Sequence, residues 1–144
     1  MNRRQLGKAI LSFVLVAGAV VSTAVDWNDT HLFNPAWHPH ARFHDALFLL
    51  MLDATSLVVL WLLWRPSKEP EVGLKVAALF AAAVWTPFFY IEALIPGTSL
   101  LATDNVPVLK VGGMVFAPNL VVAAVLFLLT VVAYGLTRKA ESDA

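Results

Sequence analysis

All four histidines of the chain, His31, His38, His40 and His44, fall within fourteen residues, in the segment WNDTHLFNPAWHPHARFH. Imidazole titrates near physiological pH and is the commonest metal ligand. His38-x-His40 and His40-x-x-x-His44 are both spacings found in metal sites, the second because residues four apart share one helix face. Two chemistries follow. His38, His40 and His44 are candidate ligands for a divalent metal such as zinc or iron, or His40 and His44 are proton donors and acceptors. A third reading is a solvated interfacial loop that holds its histidines, Trp27 and Trp37 at headgroup depth.

Three carboxylates complete the set of candidate catalytic residues: Asp45, Asp53 and Glu92. Asp45 directly follows His44, and Arg42 lies three residues before it, at a spacing that allows an ion pair. Asp53 falls inside an apolar run, near the bilayer midplane. A carboxyl there costs several kcal/mol on insertion scales, about 2.5–3.5, and by default marks a function. Its structural alternative is an acid hydrogen-bonded to Ser56 or to a backbone carbonyl. Glu92 lies at the far end of the third apolar run, level with His40, His44 and Asp45 if neighbouring helices are antiparallel.

The elements that must position these groups are membrane helices. The chain has 144 residues, 59% of them hydrophobic and only 14% charged, with a mean hydropathy of +0.73; soluble domains carry about 25% charged residues. Net charge is zero and cysteine is absent, so no nucleic-acid partner is implied and disulfide or thiolate chemistry is excluded. A span needs about 20 mainly apolar residues, and four runs qualify, at about residues 6–25, 43–64, 73–95 and 118–137. The fold expected is all-α, a four-helix membrane bundle in one transmembrane domain covering residues 1–144.

Eight of the ten basic residues lie at the N-terminus, between the second and third runs or just inside the third (Lys75), or in the C-terminal tail. The positive-inside rule then makes both termini cytoplasmic and turns the histidine segment outward; the location expected is a bacterial inner membrane. The first run also has a signal-peptide look, with a basic start and a Ser22-Thr23-Ala24 ending. It is longer than most signal cores, so a retained helix is expected.

Helical periodicity sorts the side chains. A helix starting at Pro39, a residue suited to the first helical position, puts His40 and His44 on one face with Phe48, Met51 and Thr55. Asp53 falls nearly opposite, about 13 Å deeper than His44. Around Glu92 the same wheel gathers Trp85, Phe88 and Phe89, an aromatic wall for an apolar ligand, to which Phe48 and Met51 add from the second helix. Pro87 should kink the third helix. Gly18/Ser22 and Ala78/Ala82 are small-xxx-small pairs suited to helix packing. In the last connection, VLKVGGMVF reads as two short strands joined by Gly112-Gly113, a pair that fits a tight hairpin turn. Such a hairpin would cover the outward mouth of the bundle or lie among lipid headgroups.

The stretch WNDTHLFNPAWHPHARFH resembles the outer loop of small four-span bacterial membrane proteins of unknown function, which implies a family but no activity. In layout the chain is also similar to the emopamil-binding-type sterol isomerases, small membrane bundles with acids, histidine and tryptophan around an apolar cavity. These features imply an outward-facing His/Asp/Glu site that binds or transforms a small apolar molecule, a lipid or isoprenoid, by acid–base chemistry. A metal-handling loop and a non-catalytic accessory subunit are the other two readings. The partners implied are membrane lipids and such a ligand, and an oligomer stays open.

Overall fold

A computed structural model of the chain describes residues 1–101 and 106–142, the side chains of 139–142 excepted. It contains α1 (Arg3–Asp26), α2 (Pro39–Trp64), α3 (Pro70–Trp85), a 3-10 turn (Thr86–Phe89), a one-turn helix α4 (Ile91–Leu94), strands β1 (Leu109–Val111) and β2 (Met114–Phe116), and α5 (Pro118–Ser142). Four helical segments, with Pro70–Phe89 as the third, are long and apolar enough to cross a membrane. The chain is a multi-pass membrane protein built as a four-helix bundle.

Local chemistry sets where the helices begin. Asn2 caps α1 by accepting from the Gln5 amide at 2.8 Å, while the Gln5 side chain accepts from the Asn2 amide at 3.3 Å, a reciprocal capping box. Pro39, Pro70 and Pro118 each open a helix, where the missing N–H is not needed. Pro87 acts more strongly than a kink. It cannot donate to the carbonyl four residues back, and the third span ends as an α-helix at Trp85, passing through the 3-10 turn before α4. The run expected to be one helix to Ile95 is therefore broken before Glu92.

The helices are arranged in a ring in which α1 touches α2 and α5, and α3 touches α2 and α5. The diagonal contact is between α1 and α3, where the Trp85 ring lies against Gly18. Leu11, Val14, Leu15, Val59, Leu63, Leu74, Ala77, Ala81, Trp85, Ala123 and Leu126 form the core. Two glycines set how closely the helices approach. A Cβ on Gly7 would stand 2.7 Å from the Ala133 carbonyl oxygen of α5, and one on Gly73 would stand 2.5 Å from that of Leu62 in α2. Large side chains such as Phe13, Leu57, Leu79 and Leu128 are exposed on the outer faces, as lipid contact requires of a bundle whose backbone bonds are satisfied within each helix.

The two ends of the bundle differ. At the basic end, Arg4 pairs with Glu71, Lys8 sits 4.3 Å from the Trp64 ring centre, and Trp64 Nε1 donates to Ser12 Oγ at 2.8 Å. At the histidine end lies the two-stranded hairpin, with Leu109 opposite Phe116 and Val111 opposite Met114. Gly112 and Gly113 close it with φ of 57° and 84°, the left-handed pair that a tight hairpin turn needs. A Cβ built on either glycine would meet nothing within 4 Å, and the strand side chains are exposed except for a partly buried Phe116, so the hairpin lies at the surface.

Candidate functional site

The connection from α1 to α2 is tied by its own polar residues. Asn28 Oδ1 accepts from the Thr30 amide at 2.8 Å, and Asn34 Oδ1 accepts from the Ala36 amide at 2.9 Å. Both are Asx turns. Leu32 tucks beneath, buried, and its amide donates to the Asp26 carbonyl at 3.0 Å. This compact loop delivers the histidines to three different environments.

His40 and His44 meet. Their Nε2 atoms are 3.0 Å apart and the rings are nearly perpendicular at 83°. Phe43 contacts both rings, at centroid distances of 6.1 Å from His40 and 5.5 Å from His44. The pair is exposed, on the face of α2 that continues through the exposed Phe48 and Met51. That stripe looks away from the core, so Phe48 and Met51 line no cavity with the aromatic residues of α3. His38 does something else: its Nδ1 accepts from the His40 amide at 3.2 Å and caps α2. Among the described residues no group of three His, Cys, Asp or Glu could hold a metal ion, so the His38/His40/His44 triad is not assembled.

Asp45 points to the other side of α2. With Asp26 at the end of α1 and His31 in the loop it forms a cluster of two acids and a histidine within electrostatic reach of one another. His31 Nε2 stands 3.7 Å from Asp26 Oδ1, and its Nδ1 lies 2.8 Å from Thr30 Oγ1. The ring also meets Trp37 edge-on at 5.8 Å. One carboxyl oxygen of Asp45, Oδ2, is buried without a hydrogen-bond partner among the described residues. Arg42 does not pair with Asp45; its guanidinium donates to the Trp37 carbonyl at 3.3 and 3.4 Å. The Asp26–His31 contact was not legible from spacing, because a loop turn brings it about.

Glu92 forms no metal-holding group with the histidine pair among the described residues. Its carboxylate accepts from the Leu100 amide at 2.7 Å and ties α4 to the following loop. The break at Pro87 leaves Glu92 in the short helix α4, outside the continuous helix of the third span. The aromatic residues of that region also separate. Trp85 is 4% exposed and fills the core against Gly18 and Phe88, while Phe89 is half exposed and meets Phe127 of α5 at 5.9 Å. The gap left between Trp85, Gly18, Leu52 and Ser56 has a volume of about 10 Å³, at the lower limit for one water. Trp85 and Phe88 are thus packing residues here rather than the wall of a cavity.

Asp53 has the setting the other candidates lack. It faces α1, where the Thr23 hydroxyl donates to its carboxylate at 3.2 and 3.4 Å. Thr23 is about one turn from the end of α1, while fourteen residues of α2 precede Asp53, so α2 runs on past the end of α1 and carries its histidines beyond it. A groove of about 550 Å³ opens along this contact, lined on one side by Val16, Ala19, Val20, Thr23, Ala24 and Trp27, and on the other by Asp53, Ser56, Leu57 and Leu60. The α1 residues recur at helical spacing, one stripe of small and β-branched side chains. Ser56 is 3% exposed and its hydroxyl oxygen has no hydrogen-bond partner among the described residues. The groove's walls are apolar, apart from Thr23, Asp53 and Ser56.

Residues 10–143 match the family of unknown function DUF6640, and the chain belongs to that family. No curated protein and no solved structure matches it. The family match agrees with a resemblance to small proteins without an assigned activity. It does not extend to a shared loop motif or to the sterol isomerases.

Proposed function

We propose that this member of the DUF6640 family binds a small amphiphile, a lipid- or isoprenoid-like molecule carrying an alcohol or amine, in the groove between α1 and α2. One observation carries the reading: an apolar lateral groove of about 550 Å³ whose lining includes a carboxylate, Asp53, and the hydroxyl that donates to it, Thr23. That volume lies within the roughly 300–1,000 Å³ of small-molecule sites, which pair apolar walls with a few placed polar groups. Asp53 accepts a hydrogen bond or proton from the head group, Thr23 orients the carboxylate, and Trp27 borders the end nearest the histidines. The apolar body lies along Val16, Val20 and Leu57, which are exposed and open the groove to the acyl chains. With the basic end cytoplasmic, as the charge distribution expects of a bacterial inner-membrane protein, the head group sits in the outer leaflet. Acid–base chemistry on such a ligand falls to Asp53, since His40, His44 and Glu92 do not converge.

The test is photolabelling of the purified protein with a diazirine-bearing long-chain alcohol. Adducts should concentrate in residues 16–27 and 53–60. Ala24→Trp, which fills the groove, should abolish them, and Asp53→Asn should weaken labelling while the helical content is retained. Labelling spread evenly around the bundle, or unaffected by Ala24→Trp, would sink the proposal. Efficient cross-linking of two chains through Leu57 in place of lipid adducts would instead identify the groove as a helix-docking face, the accessory-subunit reading.

A further inference from the structure

We propose that His40 and His44 form a bidentate site for a divalent transition-metal cation, independent of the groove beside α1. Two metal–nitrogen bonds of about 2.0–2.1 Å that meet at 90–110° place their nitrogens roughly 2.9–3.4 Å apart. The Nε2 atoms of His40 and His44 are already 3.0 Å apart. No backbone change is needed, because residues four apart on one helix face are held at this separation by the helix itself. Phe43, in contact with both rings, restricts their rotation. Both imidazoles are exposed in the first two turns of α2, so an ion reaches them without opening the bundle. A neutral imidazole pair also has no need of a compensating carboxylate, which fits the position of Asp45 on the far side of the helix.

The site supplies two protein ligands only, since no third His, Cys, Asp or Glu joins them among the described residues. Its remaining positions are open to water or to a phosphate oxygen at headgroup depth. Such a site exchanges its ion and ranks metals by intrinsic preference, copper(II) above zinc and zinc above iron(II). The simpler role for the pair, a hydrogen bond that stiffens the start of α2, calls for no metal and is what the experiment must separate.

Copper(II) is titrated into the detergent-solubilised full chain and followed by electron paramagnetic resonance, with echo modulation reporting the number of coordinated imidazoles. The expected result is a bound copper with two imidazole nitrogens. Loss of the second linked ligand forfeits the chelate gain, about a hundredfold by effective-concentration arithmetic, so His40→Gln or His44→Gln should weaken binding by that factor and leave one imidazole. The double variant His31→Gln/His38→Asn should bind as the parent does; asparagine keeps the cap that His38 provides. All of these positions are outside the core, and circular dichroism verifies that each variant is helical. Equal copper affinity in the parent and in His40→Gln/His44→Gln would overturn the assignment. So would binding that follows His31 and His38, or a signal with a single imidazole in the parent chain.

Discussion

Replacing one glycine with alanine at two positions should move stability in opposite directions, for a reason visible in the helix contacts. At Gly73, in the first turns of α3, the new Cβ would stand 2.5 Å from the Leu62 carbonyl oxygen, 3.1 Å from its carbon and 3.3 Å from Leu63 Cα. All three are backbone atoms of α2, so no side chain can swing aside. Ordinary contact begins near 3.5 Å, and relief requires α3 to retreat from α2 by close to 1 Å. The contacts then loosened include Leu63, Leu74 and Ala77, each no more than 2% exposed. Overpacking of this kind costs about 1–3 kcal/mol. At Gly135, on the exposed face of α5, a Cβ meets nothing within 4 Å. There alanine keeps only its helix-propensity advantage, up to about 1 kcal/mol. The propensity term is common to both sites, so the difference between Gly73→Ala and Gly135→Ala should be about 1–3 kcal/mol whatever the residual helicity of the unfolded state. Reversible unfolding in mixed detergent micelles, followed by circular dichroism and tryptophan emission, measures it. If the two variants unfold within error of each other, α2 and α3 are not in backbone contact at Gly73.

Thr23→Val and Asp53→Asn, singly and together, should show a coupling of about 0.6–1.7 kcal/mol in the same unfolding assay, the scale of polar contacts between membrane helices; additivity within error would mean the two side chains do not interact. Trp85→Ala should destabilise the bundle by about 3–5 kcal/mol, as for a buried aromatic side chain, and leave photolabelling of the α1–α2 groove in place. A variant of unchanged stability would move Trp85 out of the core. Gly113→Val forces a side chain into a left-handed backbone, costing about 1–2 kcal/mol. Amide exchange at Lys110 and Val115 should accelerate without a change in the melting of the helices, whereas a cooperative loss of both would show that the hairpin packs on the bundle. Finally, a reporter joined after Ala144 should be active only where cytoplasmic folding is required, and a tag at Ser99 should be reached from outside; the reverse pattern refutes the orientation inferred from the basic residues.

Sequence alone determined the architecture because its signals are local. Four apolar runs of spanning length, a proline at the start of α2 and a Gly112-Gly113 pair each specify their element through the backbone of the residues concerned, and apart from the far end of the third run the elements formed where expected. The His40–His44 contact was legible for the same reason: four residues along a helix is a fixed geometry. Asp53 stood out as a costly acid in an apolar run, yet its partner Thr23 lies thirty residues away on α1 and could not be read from spacing. The sequence also overstated the reach of the third helix, because Pro87 ends its hydrogen-bond ladder, and the Glu92 carboxylate is engaged by the Leu100 amide beyond that break. Only the tertiary structure decided which helices touch. Gly7 and Gly73 draw α5 and α2 to their neighbours at backbone distance, Gly18 admits Trp85 to the centre, and the space that remains lies laterally, between α1 and α2. Where a bundle leaves room depends on side chains from separate helices filling or failing to fill one volume, and no single run of sequence contains that sum.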